Sequence, residues 1–196
     1  MWGTVPGMRV LALADRPFHA DVAKLAANYD VDAIVTLGDL QPSWLESLDK
    51  CCQPKLGVYG NHDDEPYMTY FGIDNLHLNQ IDLGECSFAG FEGCVSYKRS
   101  GLGRVGPSYT QRQAKRLVRK LPAADVLCCH CPPRGVNDDP GDPAHIGYEA
   151  LREWVEQYRP RWLLHGHVHP HPGTLLTRVG DTRVVYVNGA KVLDLT

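Results

Sequence analysis

The sequence has no apolar run approaching the roughly 20 residues that a membrane-crossing helix needs. Its N-terminus also lacks the charged-then-apolar pattern of a secretory signal. These two absences predict a cytoplasmic protein with no membrane partner. An excess of one charge is missing as well: 20 basic residues face 23 acidic ones, a net charge of -3, so no overall electrostatic footprint favours nucleic acid or an anionic surface. Only a local basic patch is left open. The cysteines number seven, and the adjacent pairs Cys51-Cys52 and Cys128-Cys129 lack zinc-ribbon spacing, which argues against a disulfide framework and for reduced thiols. No internal repeat or low-complexity segment interrupts the chain. What remains is 196 residues at 43% hydrophobic content, enough for one substantial core and short for two. The expected organisation is a tail over residues 1–7 followed by a single domain over 8–196.

Apolar runs alternate with amphipathic ones through the first third. Met8 to Ala14 reads as a strand, Val22, Leu25 and Ala26 share a helical face, and Ala33 to Leu37 reads as a second strand. A short helix is expected around Trp44 to Leu48, then a strand from Lys55 to Tyr59. The middle changes character: Leu76 to Leu78, Ile81 to Leu83 and Ser87 to Phe91 are short pieces separated by turns, as in an antiparallel sheet. A long loop runs from Gly93 to Pro107. Thr110 caps a predicted helix through Leu121, Val126 to Cys129 forms a strand, and Pro132 to Pro143 is a surface loop. A helix over Tyr148 to Tyr158 stops at Pro160, a strand covers Trp162 to Leu164, and a hairpin joins Thr174–Val179 to Arg183–Val187 through Gly180-Asp181.

Polar clusters sit where the apolar runs stop. They are Asp15-Arg16-Pro17, Gly38-Asp39, Gly60-Asn61-His62-Asp63, His130 and Gly166-His167-Val168-His169. Carboxylate, amide oxygen and imidazole together suit hard or borderline divalent cations, and a parallel sheet gathers its strand ends on one side. Glycine before the polar residue lets backbone approach closely. Any one such pair is more often a strand terminus with a turn residue. Four in order on separate strands favour a metal site.

These motifs resemble those of the calcineurin-like metallophosphoesterases, over about Met8 to Asn188 and most specifically at Gly-Asn-His-Asp and Gly-His-Val-His. The resemblance implies an α/β fold, a four-layer sandwich of two packed mixed sheets flanked by helices, with two divalent metal ions at the strand ends. It implies that Asp39 bridges the ions, that Asn61, His130 and His167 complete the second metal's shell, and that Asp15 and His169 bind the first. His62 resembles the histidine that gives a hydrogen bond or proton to the reacting ester. The pattern places a further first-metal histidine where this chain has Pro17, which carries no ligand atom. His19 and His171 lie near that position but read as surface or outer histidines, and water is the simpler replacement. The first site is therefore expected to be the weaker.

The implied reaction is hydrolysis of a phosphate ester, with a phosphodiester of a small molecule or nucleotide favoured, by a metal-activated water with His62 assisting the leaving oxygen. Manganese, iron or zinc suits the mixed donors better than calcium. Arg99 and Arg104 in the glycine-rich loop are candidate phosphate clamps, although solvated loop charge is the commoner explanation. His130-Cys131-Pro132-Pro133-Arg134-Gly135, with His145-Ile146-Gly147 further on, looks like a smaller phosphodiesterase branch and adds Arg134 as a substrate candidate. Cys128, Cys129 and Cys131 read as packing, since strand side chains alternate between faces. Two other classes stay in view: a protein-binding scaffold, favoured by Pro17 and opposed by the intact Asn61-His62 pair, and a nuclease, disfavoured by the acidic balance.

Overall fold

A computed structural model describes residues 7–18, 20–64, 66–97 and 106–196. The candidates His19, Arg99 and Arg104, and most of the expected tail, lie outside them.

Strand β1 (Met8–Ala14) leads through Asp15 to helix α1 (Val22–Asn28) and back to β2 (Ala33–Thr36). Asp21 caps α1 by accepting from the N–H groups of Ala23 and Lys24, and Val22 and Ala26 are buried on its inner face. Two 3-10 turns, Pro42–Trp44 and Glu46–Lys50, stand where a short helix was expected. Pro42 opens the first turn, and Leu45 and Leu48 bury their side chains, so packing is satisfied in tight turns. Then come β3 (Lys55–Gly57), α2 (Tyr67–Tyr70) and the two-residue β4 (Asp74–Asn75).

The expected strand at Leu76 to Leu78 is absent. Leu76 donates to the Gly57 carbonyl, His77 makes a single parallel bridge to Gly90, and Leu78 has φ of 57°. The segment carries the chain from one sheet to the other, with Leu76 fully buried on the way. The neighbouring hairpin is as read, β5 (Gln80–Leu83) pairing antiparallel with β6 (Cys86–Phe91).

A small parallel pair, β7 (Cys94–Val95) and β8 (Ser108–Tyr109), precedes α3 (Gln111–Val118). Thr110 and Gln113 form a reciprocal capping box at its start. The helix ends three residues before the expected Leu121, in a turn closed by Leu121 N–H to the Val118 carbonyl. β9 (Val126–Cys129), α4 (Glu149–Tyr158) and β10 (Trp162–His165) follow. Arg159 ends α4 in the left-handed region, just ahead of Pro160.

The last hairpin is shorter than read, β11 (Arg178–Val179) against β12 (Thr182–Tyr186), because Pro172–Thr174 form a 3-10 turn. β13 (Gly189–Leu195) then returns to pair with the whole of β1, from Met8 with Leu195 to Ala14 with Gly189. Nothing local in the sequence announces that long-range pairing.

The order is β13-β1-β2-β3-β4 in one sheet and β11-β12-β10-β9-β6-β5 in the other. Inner strands are parallel and both sheets are mixed. Between the sheets, Val10, Ala12, Val35 and Leu56 meet Phe88, Val126, Cys128 and Leu164. Each large apolar side chain fully buried there contributes about 1.5–3 kcal/mol. α1 and α2 cover the outer face of the first sheet through Leu11, Leu13, Ile34, Tyr67 and Met68. α3 and α4 cover the second through Ala89, Leu127, Cys129 and Leu163. The four-layer sandwich follows. Adjacent Cys128 and Cys129 thus serve different cores, as the alternation predicted, and burial pushes both thiols up from their ordinary range.

Candidate metal centre

Five parallel strands, β1, β2, β3, β9 and β10, release their chains at their C-terminal ends into the polar clusters. Asp15, Asp39 and His167 take positive φ, 59°, 54° and 66°, where L-residues are rarely found. Backbone strain of this kind persists only when its surroundings impose it. Two glycines make the loops fit. A Cβ on Gly38 would lie 2.2 Å from the Gly60 amide nitrogen, and one on Gly60 would lie 2.1 Å from Asp39 Oδ1.

Asp15, Asp39 and His130 bring one potential ligand atom each to within 4.8 Å of one another. His130 is fully buried; its Nδ1 donates to the Leu37 carbonyl at 2.7 Å, which turns Nε2 toward Asn61 Oδ1 at 3.0 Å and Asp39 Oδ2 at 3.5 Å. His167 has the same construction. Its Nε2 donates to the Ala144 carbonyl at 2.9 Å, leaving Nδ1, and its ring centroid is 4.9 Å from that of His130. The more exposed His169 places Nδ1 2.9 Å from the Tyr186 hydroxyl, leaving Nε2. Holding one imidazole nitrogen on an oxygen fixes the ring and presents the other, the usual outer support of a metal-binding histidine.

The electrostatics show how strongly these anions demand positive charge. Burial pushes Asp15 up, and with Asp39 adding to that against the pull of His130 its carboxyl reaches about 6. Burial also raises Asp39, but the His130 charge and hydrogen bond and the His62 N–H outweigh it and hold the carboxyl at about 2. His130 goes the other way: burial disfavours its charge, yet Asp39 and Asp15 lift it to about 9. Burial, then the His130 charge, depresses His167 to about 3, so that ring stays neutral with a lone pair to offer. Carboxylates, an amide oxygen and imidazoles at this spacing, with His130 giving up its proton to an entering cation, are a donor set for a borderline divalent ion.

The sequence reading gave Asp63 no role. Its carboxylate accepts from Asp39 N–H at 3.0 Å, Leu40 N–H at 2.9 Å and Gly60 N–H at 2.6 Å, tying the β2 and β3 loops together. An aspartate closing a Gly-Asn-His-Asp turn was the available signal. Asp15 braces likewise, accepting the His167 N–H on both oxygens. His62 is exposed, and its N–H donates to Asp39 Oδ1 at 2.8 Å. Arg134 is half-exposed with Nη1 3.4 Å from Asp138 Oδ2, and it does not line the cavity beside His169. That cavity, of about 720 Å³, is lined by residues including Asn137, Asp139, His145, His169 and Leu176.

The sequence family described as calcineurin-like phosphoesterase matches residues 15–171. Among solved structures, one at 20% identity aligns over 97% of this chain and 96% of its own, with a TM-score of 0.67. TT1561 of Thermus thermophilus aligns over 97% of this chain and 100% of its own at 14% identity, with a TM-score of 0.65. Both likenesses concern the fold. No curated protein matches the chain.

Proposed function

Because the chain belongs to the calcineurin-like phosphoesterases, a family of metal-dependent phosphoester hydrolases, we propose that it hydrolyses a small-molecule or nucleotide phosphodiester at a two-ion centre built on Asp39. The observation that carries this reading is the place of the Asp39 carboxylate: one oxygen is held by the His62 N–H, and the other faces His130 within a cluster that also includes Asp15. Asp39, Asn61, His130 and His167 would hold one ion. Asp15, Asp39 and His169 would hold the other, with Pro17 contributing nothing. Manganese, iron or zinc suits these donors. Bound there, divalent ions supply Lewis-acid polarisation of the phosphoryl group and a water acidic enough to attack at neutral pH.

The chain's own residues do the rest. Asp63 and the Leu37 and Ala144 carbonyls keep the ligand loops and rings in place before substrate arrives. His62, exposed beside Asn61, gives a proton or hydrogen bond to the leaving oxygen, a contribution typically of 10²–10⁴-fold. The 720 Å³ cavity next to His169 lies in the size range of small-ligand sites and supports a second ester substituent, hence a diester. The net charge of -3 favours a small molecule over nucleic acid. No helix among the described residues is long and apolar enough to cross a membrane, and their cysteines are free thiols, which supports a cytoplasmic setting.

Pro17 also favours a second reading, a scaffold that binds a protein partner without turnover. Asp39→Ala decides whether the centre is built as proposed: it should lose both bound ions and all ester hydrolysis. Two full metal equivalents in that variant would rule out the bridging role.

A further inference from the structure

Pro17 leaves the first-metal half one ligand short, and the fold brings three histidines into question as replacements. His19 lies outside the described residues. His171 is exposed and uses Nδ1 to accept the Gly173 N–H at 3.2 Å, which caps its own turn. His145 is different on three counts.

First, its Nδ1 is 2.6 Å from Asp142 Oδ2. A carboxylate only accepts, so the ring proton sits on Nδ1 and Nε2 presents a lone pair, the arrangement by which outer carboxylates orient metal-binding imidazoles. Second, its ring centroid is 5.2 Å from that of His167 and 6.4 Å from that of His169. Of these two rings, His169 is the one that the reading above gives to the first ion. Third, the adjoining Ala144 carbonyl accepts the His167 Nε2–H, so the loop that carries His145 is registered on the centre by a hydrogen bond. His145 and His169 also line the same cavity.

We infer that His145, oriented by Asp142, is a metal ligand of this chain that takes the coordination place left empty by Pro17. The inference rests on the two-ion reading above. It makes the weaker site depend on a loop more than 100 residues away from Pro17 in sequence, joined to the centre only through the fold.

The test is manganese binding to the chelator-stripped full-length chain, followed by calorimetry and by metal analysis after desalting. Wild-type protein should bind two equivalents, one weaker. His145→Ala and the size-conserving His145→Gln should each weaken the weaker site by at least about 10-fold while sparing the tighter one. Asp142→Asn should weaken the same site by about 10–100-fold, the range for outer support of a ligand. Pro17→His placed in the His145→Ala background should restore it. Cobalt absorption spectra of the same proteins should change with loss of the nitrogen ligand and recover with Pro17→His. Two equivalents at wild-type affinities in both His145 variants would overturn the assignment and leave the two-ion centre standing. A single equivalent in wild-type protein would overturn both.

Discussion

Replacing Asp63 by asparagine changes one atom's chemistry in the brace that joins the Asp39 and Asn61 loops. Oδ2 of Asp63 takes N–H groups from Asp39 and Gly60, and Oδ1 takes that of Leu40. An amide can keep its oxygen on the Oδ2 side only by turning an NH2 toward the Leu40 N–H, so donor faces donor. Losing a hydrogen bond to a charged group costs about 1.5–3 kcal/mol, and an unsatisfied buried donor costs about 1–3 kcal/mol. Both figures describe the same lost contact and are not additive, so the loss centres on about 2–3 kcal/mol. With a urea slope of about 1–3 kcal/mol/M, the midpoint should fall by roughly 1–2 M. The same loops carry the proposed ligands, so metal affinity should drop about 10–100-fold. Urea denaturation of the stripped protein and a separate metal titration read the two effects. An Asp63→Asn protein matching wild type in both would refute the brace.

His62→Ala should reduce turnover about 10²-fold or more while leaving metal content intact, as measured by steady-state kinetics beside metal analysis; equal loss of both would remove His62 from catalysis. Gly60→Ala would press a methyl to 2.1 Å from Asp39 Oδ1, so metal binding should fail in a protein that still folds, with about 1–3 kcal/mol lost in denaturant melts. His77 bears on pH. Burial lowers its pKa, with Glu92 pulling the other way, and the Tyr109 ring stacks on it. The unfolded chain therefore takes up a proton there at higher pH than the folded one, and the stability His77 contributes at neutral pH is lost as pH falls below about 6.5. Wild-type protein should lose more stability between about pH 7 and 5 than His77→Gln, and a parallel decline would exclude this linkage.

The parts of the fold visible in the sequence are those set by local pattern. β1, β9 and the β5–β6 hairpin follow their apolar runs and turns closely. β13 could not be read because its significance is a partner at the far end of the chain, Ala14 with Gly189 being the nearest pair in sequence. Leu76 to Leu78 misled because a sheet crossing and a strand bury similar residues. The site divides the same way. Asp15, Asp39, Asn61, His130 and His167 stand at strand ends, where a sequence shows them. The Ala144 carbonyl and the Tyr186 hydroxyl act by proximity that only the packed layers create, and the Asp142–His145 pair, itself local in sequence, is brought beside His167 in the same way.

The most direct measurement counts metal ions per chain after manganese loading and follows, on the same sample, hydrolysis of a chromogenic phosphodiester and its monoester counterpart. A two-ion diesterase holds two equivalents and turns over the diester faster. One tightly held ion with no turnover of either ester would contradict the account and leave the scaffold reading in its place.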